Sequence, residues 1–230
     1  MLLPNEQVRD SVELESTVYV VDDDPASRRL IAGLLEAIFP RVQAFESASD
    51  FLDAYQDNQP GCLVLDVAMP GMSGLELQRT LADRDVQLPI VFLTGHGNVQ
   101  MAVGAMQAGA VNFLEKPFRE QELWESVRRA FELDRQQRKD RIGRTDGEQK
   151  VSKLAPGERE VLALILEGMF NKEIAAQLNL SIRTVEDRRA RLMRKLEVNS
   201  VVELVQLTMP LLDLINPRQE TSAGSVCSAQ

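Results

Sequence analysis

Five side chains that can handle a charged phosphate lie far apart in the sequence: Asp22, Asp23, Asp66, Thr94 and Lys116. Each ends or closely follows a short apolar run: YVV before Asp22, LVL before Asp66, VFL before Thr94, and Phe113–Leu114 one residue ahead of Lys116. If those runs are parallel strands, their carboxyl ends share one side of a sheet, where ligands of open α/β sheets bind. Carboxylates crowded into one crevice repel each other and invite a hard divalent cation. Magnesium takes oxygen ligands and is commonly held by one or two carboxylates plus a phosphate. The ammonium and the hydroxyl could then neutralise and hydrogen-bond the remaining phosphoryl oxygens. A carboxylate can itself accept a phosphoryl group, because that transfer needs mainly positioning and charge neutralisation. Taken singly, each residue has a duller explanation, such as a helix cap or a solvated charge; their common placement at strand ends carries the reading.

The elements that must position them are legible in the first half. β-rich runs occupy 17–22, 41–45, 61–66, 89–94 and 111–115, with amphipathic stretches at 26–38, 47–57, 73–83, 98–108 and from about 119. Strands separated by helices imply a parallel sheet covered on both faces. The expected fold is an α/β doubly wound, five-stranded sheet of the flavodoxin-like kind, over 17–133, after a tail at 1–16. The helix from 119 begins with Leu123, Val127, Ala130 and Phe131 on one side, then loses apolar residues between Leu133 and Ile142. A helical linker, rigid or flexible, is expected at 134–151, with the helix fraying at Gly143–Gly147.

From Leu154 the pattern is helical throughout. Val161, Leu162, Ile165 and Leu166 form one stripe, ending at Gly168 as a C-cap. NKEIAAQL forms a short helix, NLS a tight turn, and Ser181 a good N-cap for the next helix. In IRTVEDRRARLMRKL, Val185, Leu192 and Leu196 share one seam, while Arg183, Asp187, Arg191 and Arg194 lie opposite at 100° per residue. Two short helices with a tight turn, the second presenting arginines, have helix-turn-helix geometry. The last helix, SVVELVQLTMPLL, is apolar on more than one face, leaving Val202 and Val205 for a homodimer contact or for cover by another part of the chain. A four-helix, all-α domain at 152–214 is expected, then a disordered tail at 215–230.

Charge separates the halves. Residues 1–149 carry 15 Lys+Arg against 25 Asp+Glu, a net −10, while 150–230 carry 11 against 10, a net +1. Residues 182–196 hold six basic side chains against two acidic ones, a bias that fits phosphate contact by DNA. Hydrophobic content of 44% is ordinary for a soluble protein, and no run approaches the roughly 20 apolar residues of a membrane span. The acidic start argues against a signal peptide. Cys62 and Cys227 read as reduced thiols of a cytoplasmic protein.

The motifs VVDDDP, LVLDVAMPGMSGLEL and VFLTGHGNVQMAVGAMQAGAVNFLEKPF together resemble the receiver domain of two-component response regulators. The resemblance implies that Asp66 takes phosphate from a sensor histidine kinase. It implies Mg²⁺ on Asp23, Asp66 and the Ala68 carbonyl, with Asp22 supporting the metal and its waters. Lys116, held by a cis bond to Pro117, would contact the phosphoryl oxygens, while Thr94 and Phe113 would carry the switch toward a dimer. His96 is read as a residue of the switch loop beside this pocket. LAPGEREVL, GMFNKEIAAQL, SIRTVEDRRARLMRKL and SVVELV resemble the LuxR-type domain of the NarL/FixJ regulators. By that resemblance Lys172, Ser181, Thr184, Arg188 and Lys195 contact the DNA backbone. Arg183, Asp187 and Arg191 read base edges, since arginine suits guanine and a carboxylate can accept from cytosine. Two positions depart from the pattern: Arg188 replaces a common histidine, and Phe170 replaces a small hydroxyl residue that would cap a helix. RNA polymerase is a further implied partner. No enzyme activity is expected beyond the receiver's own phosphotransfer and autodephosphorylation.

The rival reading is an aspartate phosphatase of the haloacid dehalogenase type, using Asp22 and Asp24 with Thr94 and Lys116. It lacks the acidic pair expected after Lys116 and leaves Asp66 and MPGMSG unexplained. RNA binding by the helical half lacks the exposed aromatics that stack bases.

Overall fold

A computed structural model describes residues 16–95 and 99–215. The chain divides into two compact units between Arg138 and Lys139. In the first, β1 (Thr17–Val21), β2 (Val42–Phe45), β3 (Gly61–Asp66), β4 (Ile90–Thr94) and β5 (Asn112–Glu115) form one parallel sheet in the order β2-β1-β3-β4-β5. Helices α1 (Pro25–Glu36), α2 (Ala48–Ala54), α3 (Gly74–Asp83), α4 (Val99–Gln107) and α5 (Glu120–Ser152) connect and cover it.

Successive side chains of a strand point to opposite faces, so each apolar run supplies two cores. Val18, Val20, Cys62, Val64, Val91 and Leu93 pack against Ile31 and Leu35 of α1 and Leu123, Val127 and Phe131 of α5. Tyr19, Val21, Leu63, Leu65, Ile90 and Phe92 pack against Phe51 of α2, Leu77 and Leu81 of α3 and Ala105 of α4. Full burial of such a side chain contributes roughly 1.5–3 kcal/mol, which is why β1, β3 and β4 are apolar at nearly every position. Burial also pushes the Cys62 thiol pKa well up.

The second unit contains the end of α5, then α6 (Pro156–Leu166), α7 (Asn171–Gln177), α8 (Ile182–Lys195), α9 (Val201–Thr208), a 3₁₀ turn (Met209–Leu211) and α10 (Leu212–Ile215). Val151, Leu154, Val161, Leu162, Ile174, Val185, Leu192, Leu196, Leu204 and Leu211 form its core. The helical reading from Leu154 therefore holds, with one apolar turn added before it.

The expected linker is helical, as one continuous helix to Ser152, but it neither starts free at Asp134 nor frays at its glycines. Asp134 does not begin a tether: its buried carboxylate accepts the Gly61 amide at 3.1 Å and the Arg138 Nε at 2.8 Å, while Arg138 also donates to the Asn58 and Gln59 carbonyls. Nor does the helix fray at Gly143–Gly147. Ion pairs one turn apart, Arg144 with Glu148 at 3.0 Å and Lys150 with Asp146 at 2.8 Å, support it. Gly147 is where α5 meets the C-terminal helices, since a Cβ there would lie 2.8 Å from Leu211 Cδ1, whereas a Cβ on Gly143 meets nothing. The two glycines therefore have opposite prospects. Gly143→Ala is expected to stabilise by about 0.5–1 kcal/mol through helix propensity, and Gly147→Val to destabilise by about 1–3 kcal/mol through overpacking. Urea unfolding followed by far-UV ellipticity checks both; equal midpoints would contradict the packing at Gly147.

Candidate functional site

The carboxyl ends of β1, β3, β4 and the residue after β5 meet as the strand register requires. Asp22, Asp66 and Thr94 are buried there, and Lys116 reaches across them from beyond β5. Its Nζ lies 2.7 Å from Asp22 Oδ2, 2.7 Å from Asp66 Oδ1 and 3.0 Å from Ser27 Oγ. The Lys116–Pro117 bond is cis, and the Lys116 amide donates to the Thr94 carbonyl at 2.7 Å. Phe113 on β5 is half-buried, its ring 6.1 Å from that of Phe92. His96 lies outside the described residues.

The acids are not equivalent. Asp22 is committed on both oxygens: Oδ1 accepts the Asp24 amide at 3.0 Å, and Oδ2 accepts the Ser27 hydroxyl at 2.7 Å as well as Lys116. Asp66 Oδ2 accepts the Ala68 amide at 2.8 Å. Asp23 is exposed, and its carboxylate has no partner among the described residues. Burial raises the Asp66 pKa above the usual carboxylate range, against the lowering effects of Lys116 and the Ala68 amide. Desolvation pulls the Lys116 pKa down, but its bonds to Asp22 and Asp66 more than offset this and raise it overall.

This donor set fits a hard divalent cation. Two buried carboxylates, Asp22 and Asp66, share one ammonium, leaving surplus negative charge, and the exposed Asp23 adjoins Asp22 in the chain. Among the described residues no three acids, histidines or cysteines form a complete metal cage. A cation here would combine few carboxylates with main-chain and water oxygens, as magnesium does.

Local structure fixes these positions. Asp24 caps α1, accepting the Ala26 amide at 2.9 Å, with Pro25 opening the helix. That cap role removes Asp24 from the pocket and leaves the dehalogenase-type reading without its second acid. Arg28 Nη1 donates to the Asp22 carbonyl at 2.6 Å. After Asp66 the chain turns through Gly71, at φ +77°, and starts α3 with a reciprocal cap between Ser73 and Glu76. A Cβ at Gly74 would stand 2.2 Å from the Asp66 carbonyl oxygen, so glycine alone allows α3 to start against the strand end. Ser27 and Arg28 were not singled out from sequence; their only signal is a position in the first turn after the acids.

In the second unit, α7 and α8 form the expected helix-turn-helix. Ser181 caps α8, accepting the Thr184 amide at 3.1 Å, and its Oγ lies 2.7 Å from Thr184 Oγ1. Lys172, Arg183, Asp187, Arg191 and Arg194 are exposed. Two cations expected at the DNA backbone are engaged inside the unit instead. Lys195 Nζ is 2.7 Å from the buried Glu158 carboxylate, and Arg188 lies over Gly157, donating to its carbonyl at 3.3 Å with Glu160 at 3.7 Å. A helical wheel places Arg188 about 60° and Lys195 about 80° from the apolar seam of α8, on the flank where α6 packs. Arg189, not expected to matter, donates to Asn171 Oδ1 at 3.0 Å and ties α8 to α7. Phe170 is exposed and provides no side-chain cap, but Glu173 reaches back to its amide at 2.7 Å.

Comparison with known proteins agrees with both units. Residues 18–128 match the response regulator receiver domain, and residues 152–208 match the luxR family of bacterial regulatory proteins. The chain belongs to the response regulators. It is 42% identical to the response regulator protein TmoT of Ectopseudomonas mendocina, over 86% of this chain and 90% of that one. It is 40% identical to the transcriptional regulatory protein FixJ of Bradyrhizobium diazoefficiens, over 84% and 94%. Among solved structures, response regulator StyR superposes with a TM-score of 0.71 at 43% identity, covering 85% of this chain and 99% of that one. This response regulator is thus a transcription regulator of the NarL/FixJ type, and the phosphatase alternative finds no support.

The Glu158–Lys195 pair makes a testable claim about this regulator's DNA-binding unit. Lys195, by hydrogen bond and charge, holds the Glu158 carboxyl below its ordinary range. Such a group contributes stability above its unfolded value, and that contribution is lost as pH falls through the lower folded value. Lys195→Met should therefore cost about 1–2 kcal/mol near neutral pH. The deficit should vanish in acid below the ordinary glutamate range, as read by thermal unfolding across pH. A deficit that persists there would assign the loss to packing.

Proposed function

We propose that Asp66 is the phosphoryl acceptor of this regulator and that its modification controls dimerisation and DNA binding. The observation that carries this reading is the Asp66 carboxylate at the end of β3, 2.7 Å from the Lys116 ammonium. An Asp66 oxygen forms the bond to phosphorus while the P–N bond of a kinase phosphohistidine breaks, the imidazole nitrogen keeping the electron pair. Lys116 neutralises a phosphoryl oxygen, and the Ala68 amide orients the other Asp66 oxygen. Mg²⁺ would rest on Asp23, Asp66 and the Ala68 carbonyl, with Asp22 behind it, and would supply charge neutralisation at the phosphoryl group.

The Thr94 hydroxyl then turns to the phosphoryl group, and Phe113, already half-buried beside Phe92, packs further inward. The exposed apolar side chains of α4, Val99, Val103 and Met106, are suited to a face that pairs in the active state. In the second unit the exposed Val201 and Val202 of α9 are suited to pairing of DNA-binding domains. On DNA, Arg183, Asp187 and Arg191 read base edges in the major groove, and Lys172, Ser181 and Thr184 position the helix on phosphates. Arg188 and Lys195 join them only by releasing Glu160 and Glu158. A sensor histidine kinase, double-stranded DNA and RNA polymerase are the partners of this reading, and the cytoplasm is its setting. Among the described residues no helix is long and apolar enough to cross a membrane.

Light scattering of the full chain with Mg²⁺, before and after a small phosphodonor, tests the switch. Wild type should pass from monomer to dimer and gain affinity for paired half-sites, and Asp66→Asn should do neither. A mutant that still takes up phosphate and dimerises would refute the assignment. On DNA, Lys172→Ala should weaken binding evenly across sequences and lower the salt slope by about 1, while Arg191→Ala should cost about 1–3 kcal/mol and relax preference at one base pair. Binding titrations at several salt concentrations distinguish the two behaviours.

A further inference from the structure

Resting on Asp66 as the phosphoryl acceptor, we infer that Ser27 is a positioning residue of the phosphorylation pocket, acting through Lys116. Its hydroxyl stands in the first turn of α1, half-buried, between two members of the site. It donates to Asp22 Oδ2 at 2.7 Å and accepts from Lys116 Nζ at 3.0 Å.

An ammonium has three N–H donors and no more. Those of Lys116 go to Asp22, Asp66 and Ser27, so the group is saturated before any phosphate arrives. When Asp66 becomes an acyl phosphate, one donor must move from Asp66 Oδ1 to a phosphoryl oxygen. The other two then decide where the ammonium stays. With Ser27 present they run to two acceptors on different parts of the chain, the end of β1 and the first turn of α1. A four-carbon stem carrying three rotatable donors is thereby held in one place, facing Asp66.

Without the hydroxyl only Asp22 anchors the ammonium on that side. Lys116 then gains freedom, and each transfer requires it to be brought back to the phosphoryl group. Asp22 Oδ2 loses the Ser27 hydroxyl but keeps Lys116, Oδ1 keeps the Asp24 amide, and Asp23 is untouched, so the same acids are offered to Mg²⁺. The effect therefore falls on the rate of transfer and not on metal affinity.

The experiment measures Asp66 phosphorylation of the full chain by phosphoramidate, whose nitrogen leaves as ammonia when its P–N bond breaks and the Asp66–phosphorus bond forms. Phosphorylated and free protein are separated on a phosphate-affinity gel over a Mg²⁺ titration. Ser27→Ala should lower the maximal rate by about tenfold, with the half-saturating Mg²⁺ concentration kept within about twofold of wild type. Ser27→Thr retains the hydroxyl and should restore the rate to within about twofold. An unchanged rate in Ser27→Ala, a loss that threonine does not rescue, or a loss expressed only as weaker Mg²⁺ dependence would overturn the role of Ser27. If wild type takes no label, or Asp66→Asn labels equally, the assignment of Asp66 itself falls.

Discussion

The ammonium of Lys116, saturated by Asp22, Asp66 and Ser27, is the interaction around which the receiver is arranged. Buried carboxylates repel, and their desolvation is costly unless an opposite charge stands close. Asp22 and Asp66 share that one counter-charge, brought from the end of β5, nearly a hundred residues from β1. Every element of the sheet contributes to the arrangement, because parallel strands place their carboxyl ends on the same side and the βα connections set the order in which they arrive. The pocket is consequently a property of the sheet order, with β1 and β3 adjacent at its centre.

The same sheet explains how firmly the pocket is held. β1, β3 and β4 are buried along their whole length, so movement at an acid has to displace well-packed neighbours on both faces. The outer strand β5 is only partly buried. Phe113 lies on that looser strand, so the proposed switch would have its fixed part at the centre of the sheet and its adjustable part at the edge.

Much of this was legible in the sequence. Five apolar runs identified the strands to within a residue or so, because a strand covered on both faces has little freedom to be polar. Asp22, Asp66, Thr94 and Lys116 could be brought together from their placement at strand ends alone. What escaped the reading depended on partners remote in sequence. Asp134 looks like the start of a charged linker until the Gly61 amide is seen to lie beneath it. Gly147 looks like a helix breaker until Leu211 is found in the space where its side chain would be. Lys195 and Arg188 stand on the flank of the apolar seam, and helical periodicity alone does not show that α6 crosses there. Ser27 carries no motif signal, and its importance lies wholly in its distance to two other groups.

The anchoring of Lys195 to Glu158 and of Arg188 to the Gly157 carbonyl and Glu160 divides the recognition helix into two evolutionary classes of residue. Arg183, Asp187 and Arg194 are exposed, and among the described residues Arg191 bonds only within α8, to the Asp187 carbonyl, so under the proposed reading they can drift as target promoters diverge. Changes at Lys195 or Arg188 are epistatic with α6, and become tolerable only when a substitution there comes first or alongside. Under the proposed reading, new operator preferences should accumulate through a few solvent-facing positions, while the charge pattern that locks α8 to α6 persists.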